Sequence, residues 1–380
     1  MYIGPANKKG FFPLRVSAWL FAAALATMVA PAFGGVGTFP LPLDFSGLIE
    51  AARLKGPIDF CGEPVDLQDQ DVRERMEREM LLILGDAPQV ILWIKRSLQY
   101  LAPIQETLRK HHMPDDLKFI AIAESSLRPH AGSPKGAVGF WQFIEPTGKR
   151  FGLTVDADKD ERRSLLYSTD AAVAYLKKIH SMFNSWTLAA AAYNMGEYGL
   201  KREIDYQKTR NYYRLYLPLE TQRYIFRILA IKLILSDPGR YGFHLEPGDI
   251  YPQHPVERVM IESARETSLI TVADAAKTYV KVIKDLNPEI RGYRLAPGRH
   301  GLFIPKAGAA NFHERFLDLT GKKFQSQAAT IYVVKKGDTL TDIARRFHVS
   351  VSELAAWNGL ESKEAIHTGQ RLVIYPDEIP

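Results

Sequence analysis

Two stretches near the C-terminal end repeat one spacing, and this repeat constrains the fold more tightly than any other feature of the sequence. Ser268, Val272, Ile283, Asn287 and Gly298 follow one another in the first stretch; Thr339, Ile343, Leu354, Asn358 and Gly369 do so in the second. The interval from Ser268 to Asn287 is 19 residues, as is that from Thr339 to Asn358; the next interval, to the glycine, is 11 in both. Each stretch opens with a strand-like run (Val259-Met-Ile261; Ile331-Tyr-Val-Val334) and closes with another (Leu302-Phe-Ile304; Leu372-Val-Ile374). Two helical stretches lie between them. The expectation is two copies of a small β-α-α-β module, residues 256–306 and 330–376. Residues 307–329 would form a connector with a short helix from Asn311 to Leu319.

Upstream the pattern is different. Residues 238–255 carry seven Pro and Gly residues, from Pro238 to Pro255, and read as a linker. Residues 71–237 read as all-α. One helical pattern starts at Asp71 and stops at Gly85-Asp86. Pro88, in a first-turn position, opens another, with Val90, Ile91, Ile94, Leu98 and Leu101 on one side, and Pro103 is expected to kink or break it. Ser168-Thr169-Asp170 reads as the cap of a helix from Ala171 to Phe183. The run Leu188-Ala-Ala-Ala-Ala192 has side chains so small that it suits a central, tightly packed helix. A last helix runs from Leu217-Pro-Leu-Glu220 to about Leu235. Residues 33–70 read as an extended lead-in.

Residues 1–32 have the layout of a secretory signal. Lys8, Lys9 and Arg15 precede an apolar run from Val16 to Ala30, and Ala30-Pro31-Ala32 fits a cut before Phe33. The run is short for a membrane span, which favours cleavage over an anchor. A periplasmic or cell-envelope location follows, with no stable membrane insertion after cleavage. The lone Cys61 cannot form an internal disulfide and is not at the end of the apolar run. The net charge of +6 and pI of about 9.1 favour anionic partners, such as cell-wall polymer, membrane surface or nucleic acid, without choosing among them. No zinc-finger spacing, Walker motif or Arg-rich helix supports nucleic acid. His111-His112 lacks a third ligand at metal spacing, so no metal and no cofactor are expected. Nothing in the sequence sets an oligomeric state.

One carboxyl group stands out. In Ile120-Ala-Ile-Ala-Glu-Ser-Ser126, Glu124 follows Leu117, Ile120 and Ala121 at helical spacing and falls on their apolar stripe. Burial disfavours its charge, so its pKa should be raised and its proton available near neutrality. Read alone, the run also fits a Glu at a helix end paired with a neighbour. Pro129 is expected to end this helix. Next comes a loop, Gly132-Ser-Pro-Lys-Gly-Ala-Val-Gly-Phe-Trp-Gln-Phe143. Gly139 allows close backbone approach, Trp141 offers a flat apolar face and Gln142 an amide, a set that suits a sugar as well as a turn with core aromatics. The small-residue helix ends at Tyr193-Asn194-Met-Gly196, with polar groups where a helix end could face a cleft.

These motifs are recognisable together. Glu124-Ser125-Ser126, Gly139-Phe-Trp-Gln-Phe143, Ala192-Tyr-Asn-Met-Gly196 and Leu217-Pro-Leu-Glu-Thr221 resemble, in order and spacing, the soluble-lytic-transglycosylase-like (SLT) domain of glycoside hydrolase family 23. The version with Trp in the second motif is similar to the membrane-bound lytic murein transglycosylase D group. Residues Tyr332–Leu340, Trp357-Asn-Gly359 and Gly369-Gln-Arg-Leu372 look like a LysM domain. The 256–306 unit is similar but lacks the Gly-Asp pair and has Asn287-Pro288 for Asn-Gly, a degenerate LysM. Phe140 stands where the family usually has Leu.

The resemblance implies a mainly α, lysozyme-like catalytic domain followed by α+β LysM modules, acting on peptidoglycan glycan strands. It assigns acid/base catalysis to Glu124, placement of the sugar to Ser125, substrate binding to Gln142 and Asn194, and stabilisation or orientation to Tyr193. Trp141 would stack on sugar, and Glu220 would line the cleft. One carboxylate suffices if the sugar's own 6-hydroxyl replaces water. A goose-type-lysozyme-like hydrolase needs a second carboxylate; the nearest acid cluster, Asp158, Asp160 and Glu161, reads as a solvated loop. A non-catalytic wall binder is disfavoured by the intact Glu124, Gln142, Tyr193 and Asn194.

Overall fold

The computed structural model describes residues 45–251, 255–263, 265–320, 330–347, 349, 351–358, 360 and 366–374. The expected signal, residues 1–32, lies outside them, as do residues 33–44 of the lead-in. The rest of the lead-in is not extended. It holds helix α1 (Phe45–Ala52) and a two-stranded hairpin, β1 (Asp59–Phe60) and β2 (Glu63–Pro64). Phe60 is fully buried and anchors the hairpin in the first core.

That core is helical. It is built from α2 (Gln70–Gly85), α3 (Ala87–Lys110), α4 (Lys118–Ser125), α5 (Glu145–Arg150), α6 (Leu165–Phe183), α7 (Trp186–Met195), α8 (Glu197–Gln207) and α9 (Leu219–Ser236). Asp69 caps α2 by accepting from the Asp71 and Val72 amides. Helix α3 runs through Pro103 without stopping. Ile104 and Leu108 beyond the proline are buried in the same core as Val90 and Ile94 before it, so packing outweighs the lost bond. Helix α6 starts earlier than expected, with Ser164 at its N-cap. The Ser168 and Thr169 hydroxyls donate back to the Ser164 and Leu165 carbonyls, so they sit inside the helix instead of capping it. Ala189, Ala190, Ala191 and Ala192 are fully buried, and α7 packs against α6, α8 and α9. Residues 238–251 are two short 3-10 turns with no longer element.

The second core belongs to β3 (Val256–Ser263), β4 (Thr267–Ser268), α10 (Leu269–Ala275), α11 (Val280–Leu286), β5 (Arg294–Leu295) and β6 (Gly298–Pro305). β3 and β6 are antiparallel, from Val256 opposite Pro305 to Ser263 opposite Gly298. Helix α12 (Phe312–Thr320) packs on α10, and its Phe312 and Phe316 are buried in this core, which therefore extends past residue 306. The third core is formed by β7 (Thr330–Val333), α13 (Leu340–Arg346), α14 (Val351–Asn358) and β8 (Arg371–Ile374), with Thr330 opposite Ile374 and Val333 opposite Arg371.

The repeated residues do the same job in both units. Ser268 and Thr339 cap their helices through side-chain oxygens. Val272 and Ile283 match Ile343 and Leu354 in the cores. Asn287 donates to the Ile283 and Phe303 carbonyls at 2.8 Å and accepts from the Phe303 amide at 2.7 Å. Asn358 repeats this with Leu354 and Val373 at the same distances. Each Asn thus clamps a helix end to the closing strand, and its spacing to both is fixed by that role. Among the described residues, no helix is long and apolar enough to cross a membrane.

Candidate active site

Glu124 lies in the last turn of α4, a helix of only 8 residues whose Phe119, Ile120, Ala121 and Ile122 are buried. The helix does not run on to Pro129. Ser126 and Leu127 both take left-handed backbone, φ 55° and 57°, and the chain turns away directly after Ser125. Two such non-glycine residues in a row cost free energy, on the order of 1–3 kcal/mol each. They are held from outside: Arg96 Nη1 donates to the Ser126 carbonyl at 3.1 Å, and Leu127 is fully buried. The turn leaves the Glu124 carboxyl partly exposed at a helix end.

Its main partner comes from α9. The Tyr224 hydroxyl donates to Glu124 Oε1, and Tyr224 is itself buried. Burial pushes the Glu124 carboxyl up, the Tyr224 hydrogen bond and the Arg227 charge pull it down, and Glu220 adds a smaller push; the result is about 7. The Tyr224 hydroxyl is pushed well above its ordinary value by burial and then by the Glu124 charge, so it stays protonated and remains a donor. Tyr193 is raised in the same way, again by burial and then by Glu124. Glu124 therefore has a proton to give near neutral pH and two phenols close enough to respond to its charge.

Tyr193, at the end of α7, donates to the Trp141 carbonyl at 2.7 Å, and its ring lies 6.1 Å from Phe143 and 5.3 Å from Tyr175. It ties α7 to the loop that carries Gln142. Gln142 has φ 49° and is partly exposed, and its amide nitrogen donates to the Ala131 and Gly139 carbonyls at 3.1 and 2.9 Å. Its amide oxygen is what it can offer a ligand. Asn194 is the opposite case: its oxygen accepts from the Thr221 hydroxyl at 2.7 Å, which leaves its NH2 for a ligand. Glu220 is exposed and paired with Arg227 at 2.9 Å.

Two expected binding residues are turned away from solvent. Trp141 is fully buried, and its Nε1 donates to the Thr169 hydroxyl at 3.0 Å. It has no open face on which a sugar could stack and acts as a core plug. Ser125 is 2% exposed, and its hydroxyl donates to the Ala121 carbonyl one turn back, at 3.0 Å. Its oxygen is engaged within α4 and does not reach outward. The acid cluster is solvated only in part: Asp158 is exposed, but Asp160 is fully buried and bound by Arg162, and Glu161 is buried too. Tyr224 is the residue that the sequence reading missed. It stands one turn after Glu220 on a helix whose other buried residues are aliphatic apart from Thr221 and Phe226, and a phenol set within that mostly apolar stripe was the available signal. Among the described residues, no group of three or more His, Cys, Asp or Glu is arranged to hold a metal ion.

Residues 102–216 match the family model of the transglycosylase SLT domain, and residues 332–374 match that of the LysM domain. The first match contains Glu124, Gln142, Tyr193 and Asn194; Tyr224 lies past its end. The chain is 33% identical over 293 residues to membrane-bound lytic murein transglycosylase D of Escherichia coli (strain K12), a match covering 73% of this chain and 64% of that one. The chain thus spans just under two thirds of that relative. It is 31% identical over 107 residues to membrane-bound lytic murein transglycosylase F of Shewanella sp. (strain W3-18-1), covering 27% of this chain and 22% of that one. Over 43 residues it is 54% identical to N-acetylmuramoyl-L-alanine amidase XlyA of Bacillus subtilis (strain 168), covering 11% of this chain and 14% of that one.

Proposed function

We propose that this chain, which carries a transglycosylase SLT domain followed by a LysM domain, is a peptidoglycan lytic transglycosylase. In this reading it cleaves the β-1,4 bond between N-acetylmuramic acid and N-acetylglucosamine without water and leaves 1,6-anhydro ends. The LysM domain holds it on the wall, and it works in the periplasm or cell envelope after export through residues 1–32. The observation that carries the reading is Glu124, a single carboxyl group raised to about 7 with Tyr224 donating to it.

The steps need only that group. Protonated Glu124 gives its proton to the glycosidic oxygen as the bond to the muramic C1 breaks. The departing N-acetylglucosamine carries that proton as its 4-hydroxyl. The sugar's 2-acetamido group and the cleft dipoles support the cation left at C1. Glu124, now ionised and stabilised by the Tyr224 hydroxyl, takes the proton of the 6-hydroxyl, and O6 bonds to C1. The carboxyl ends protonated, as it began, so one residue serves as acid and then as base. Gln142 and Asn194 would hold the sugar with an acceptor and a donor respectively. Glu220, already paired with Arg227, would line the cleft and bias the charge at Glu124.

Mass spectrometry of the fragments released from purified sacculi tests the reaction. Anhydro ends, lighter by one water than hydrolytic ends, are expected. Reducing ends appearing in step with cleavage would move the protein to the lysozyme-like reading. N-terminal sequencing of protein from the native host tests export, with Phe33 as the expected first residue.

A further inference from the structure

Asp160 and Arg162 lie outside the site described above but connect it to the module of residues 256–305. Asp160 is fully buried, and Arg162 is 4% exposed. The Arg162 fork takes both carboxylate oxygens of Asp160, Nε to Oδ1 at 2.7 Å and Nη2 to Oδ2 at 2.8 Å. Its Nη1 donates to the carbonyls of Gly136 and Phe143, at 3.0 and 3.1 Å. These two carbonyls flank the turn that carries Gln142. The backbone of Arg162 also lies against that turn: a Cβ on Gly139, at φ +87°, would stand 1.7 Å from the Arg162 carbonyl oxygen. One residue therefore fixes the loop through its side chain and its main chain.

The module holds the other side of this pair. The Asp160 amide donates to the Glu289 carbonyl at 2.8 Å, and the Arg291 amide to the Asp158 carbonyl at 2.9 Å. Lys159 and Ile290 form an antiparallel bridge between them, and Ile290 is buried in the second core. Arg291 Nη2 reaches Asp160 Oδ2 at 3.3 Å. A second attachment joins β3 to α6, where Arg258 Nη2 donates to the Tyr167 hydroxyl at 2.9 Å.

We propose that residues 256–305 are a fixed buttress of the candidate active site, holding the Gly132–Phe143 loop in place through Arg291, Asp160 and Arg162 as positioning residues. The module then serves the reaction through its contact with the loop, whether or not it touches sugar. The link is directional in its chemistry. The Arg162 donors are shared between Asp160 and two loop carbonyls, so loosening Asp160 frees the fork to swing off the loop. The inference builds on the transglycosylase reading only where activity is measured.

The test uses the full chain with Arg291→Ala, a partly exposed side chain whose loss removes no core packing. Hydrogen exchange of the 132–143 amides should speed up by about tenfold, while that of α9 should not change. The value of kcat on a soluble glycan should fall about threefold or more, and should fall little further in the Gln142→Ala background, because both changes act through one loop. Arg291→Lys should recover part of the loss. Asp160→Asn, which weakens the buried fork itself, should exceed Arg291→Ala on both readouts. Unchanged exchange at 132–143 in both variants would overturn the proposal, as would full additivity of Arg291→Ala with Gln142→Ala. A wild-type chain that cuts no glycan would defeat the transglycosylase reading alone, since exchange reports on the loop without turnover.

Discussion

The Tyr224 hydroxyl donates to Glu124 Oε1 across 100 positions of sequence. The bond joins the last turn of α4 to the second turn of α9, where the two helices pack. It favours the ionised form of a carboxyl that burial keeps protonated, and the balance falls near neutrality. The proposed reaction asks one group first to give a proton and then to take one, and a value near neutrality suits both steps.

Tyr224→Phe tests that balance. Removing the donor takes away the largest influence lowering the Glu124 pKa, so the carboxyl should titrate higher. The alkaline limb of the kcat/KM profile, expected near pH 7 in wild type, should move upward by about one unit, or about 1.4 kcal/mol between protonation states. The maximal rate should fall, because the carboxylate formed after bond cleavage loses its hydrogen bond. An unchanged alkaline limb would remove Tyr224 from the site.

Trp141→Phe separates packing from sugar binding. The indole is buried and hydrogen-bonded to Thr169, and its replacement leaves that hydroxyl and some volume unfilled. A loss of about 2 kcal/mol of stability is expected from cavity and hydrogen-bond effects together. The KM for a short glycan should change less than twofold at a temperature where the variant is folded, on the view that a difference of a few tenths of a kcal/mol is packing relay only. A large KM effect without loss of stability would restore the stacking role.

What the sequence made legible follows from what each signal encodes. The 19- and 11-residue intervals were readable because caps, core positions and the Asn287 and Asn358 clamps are local to each module. Glu124 was readable because helical spacing reports which stripe a residue shares. Trp141 was misread because loop composition does not report depth: the loop folds inward, and its aromatics Phe140, Trp141 and Phe143 are all buried. Asp160 was misread because acids were equated with solvent, although Arg162 and Arg163, two and three residues after it, supply the pairing that lets it be buried. Tyr224 required knowing which face of α9 meets α4, and that is set by packing between segments far apart in the chain. Pro103 broke a local rule under the weight of tertiary contacts on both sides of it.

Deleting residues 328–380 tests the wall anchor. The third core is built wholly from residues 332–374, so its removal takes no side chain from the first. Co-sedimentation with insoluble sacculi should weaken by about tenfold or more, because a tethered binding unit raises effective concentration at the wall. Turnover of a short soluble glycan should be retained. Equal sedimentation with and without the deletion would show that the LysM domain is not the anchor.

Glu124→Gln carries the sharpest expectation, since it bears on activity and stability together. Gln keeps the shape and can still accept from Tyr224, but it neither gives nor takes a proton. General acid–base catalysis is typically worth about 10²–10⁴-fold, and in the proposed reaction one group serves both steps, so the loss should be at least that large. The stability effect has a definite sign. The folded value of about 7 lies above the ordinary 4.5, so the folded chain binds more protons between these two pH values. Wild-type stability from this group is complete below about pH 4.5 and is lost as pH rises through about 7. Above pH 7 the wild type bears a partly exposed but poorly solvated carboxylate, a cost on the order of a few kcal/mol. Glu124→Gln bears none, so it should unfold at higher denaturant than wild type at pH 8 and show little such advantage at pH 4. Denaturant titrations at the two pH values, with glycan turnover alongside, check both halves. A Glu124→Gln chain that still cleaves would end the assignment of this residue as acid and base, and an equal stability difference at both pH values would end the account of its raised pKa.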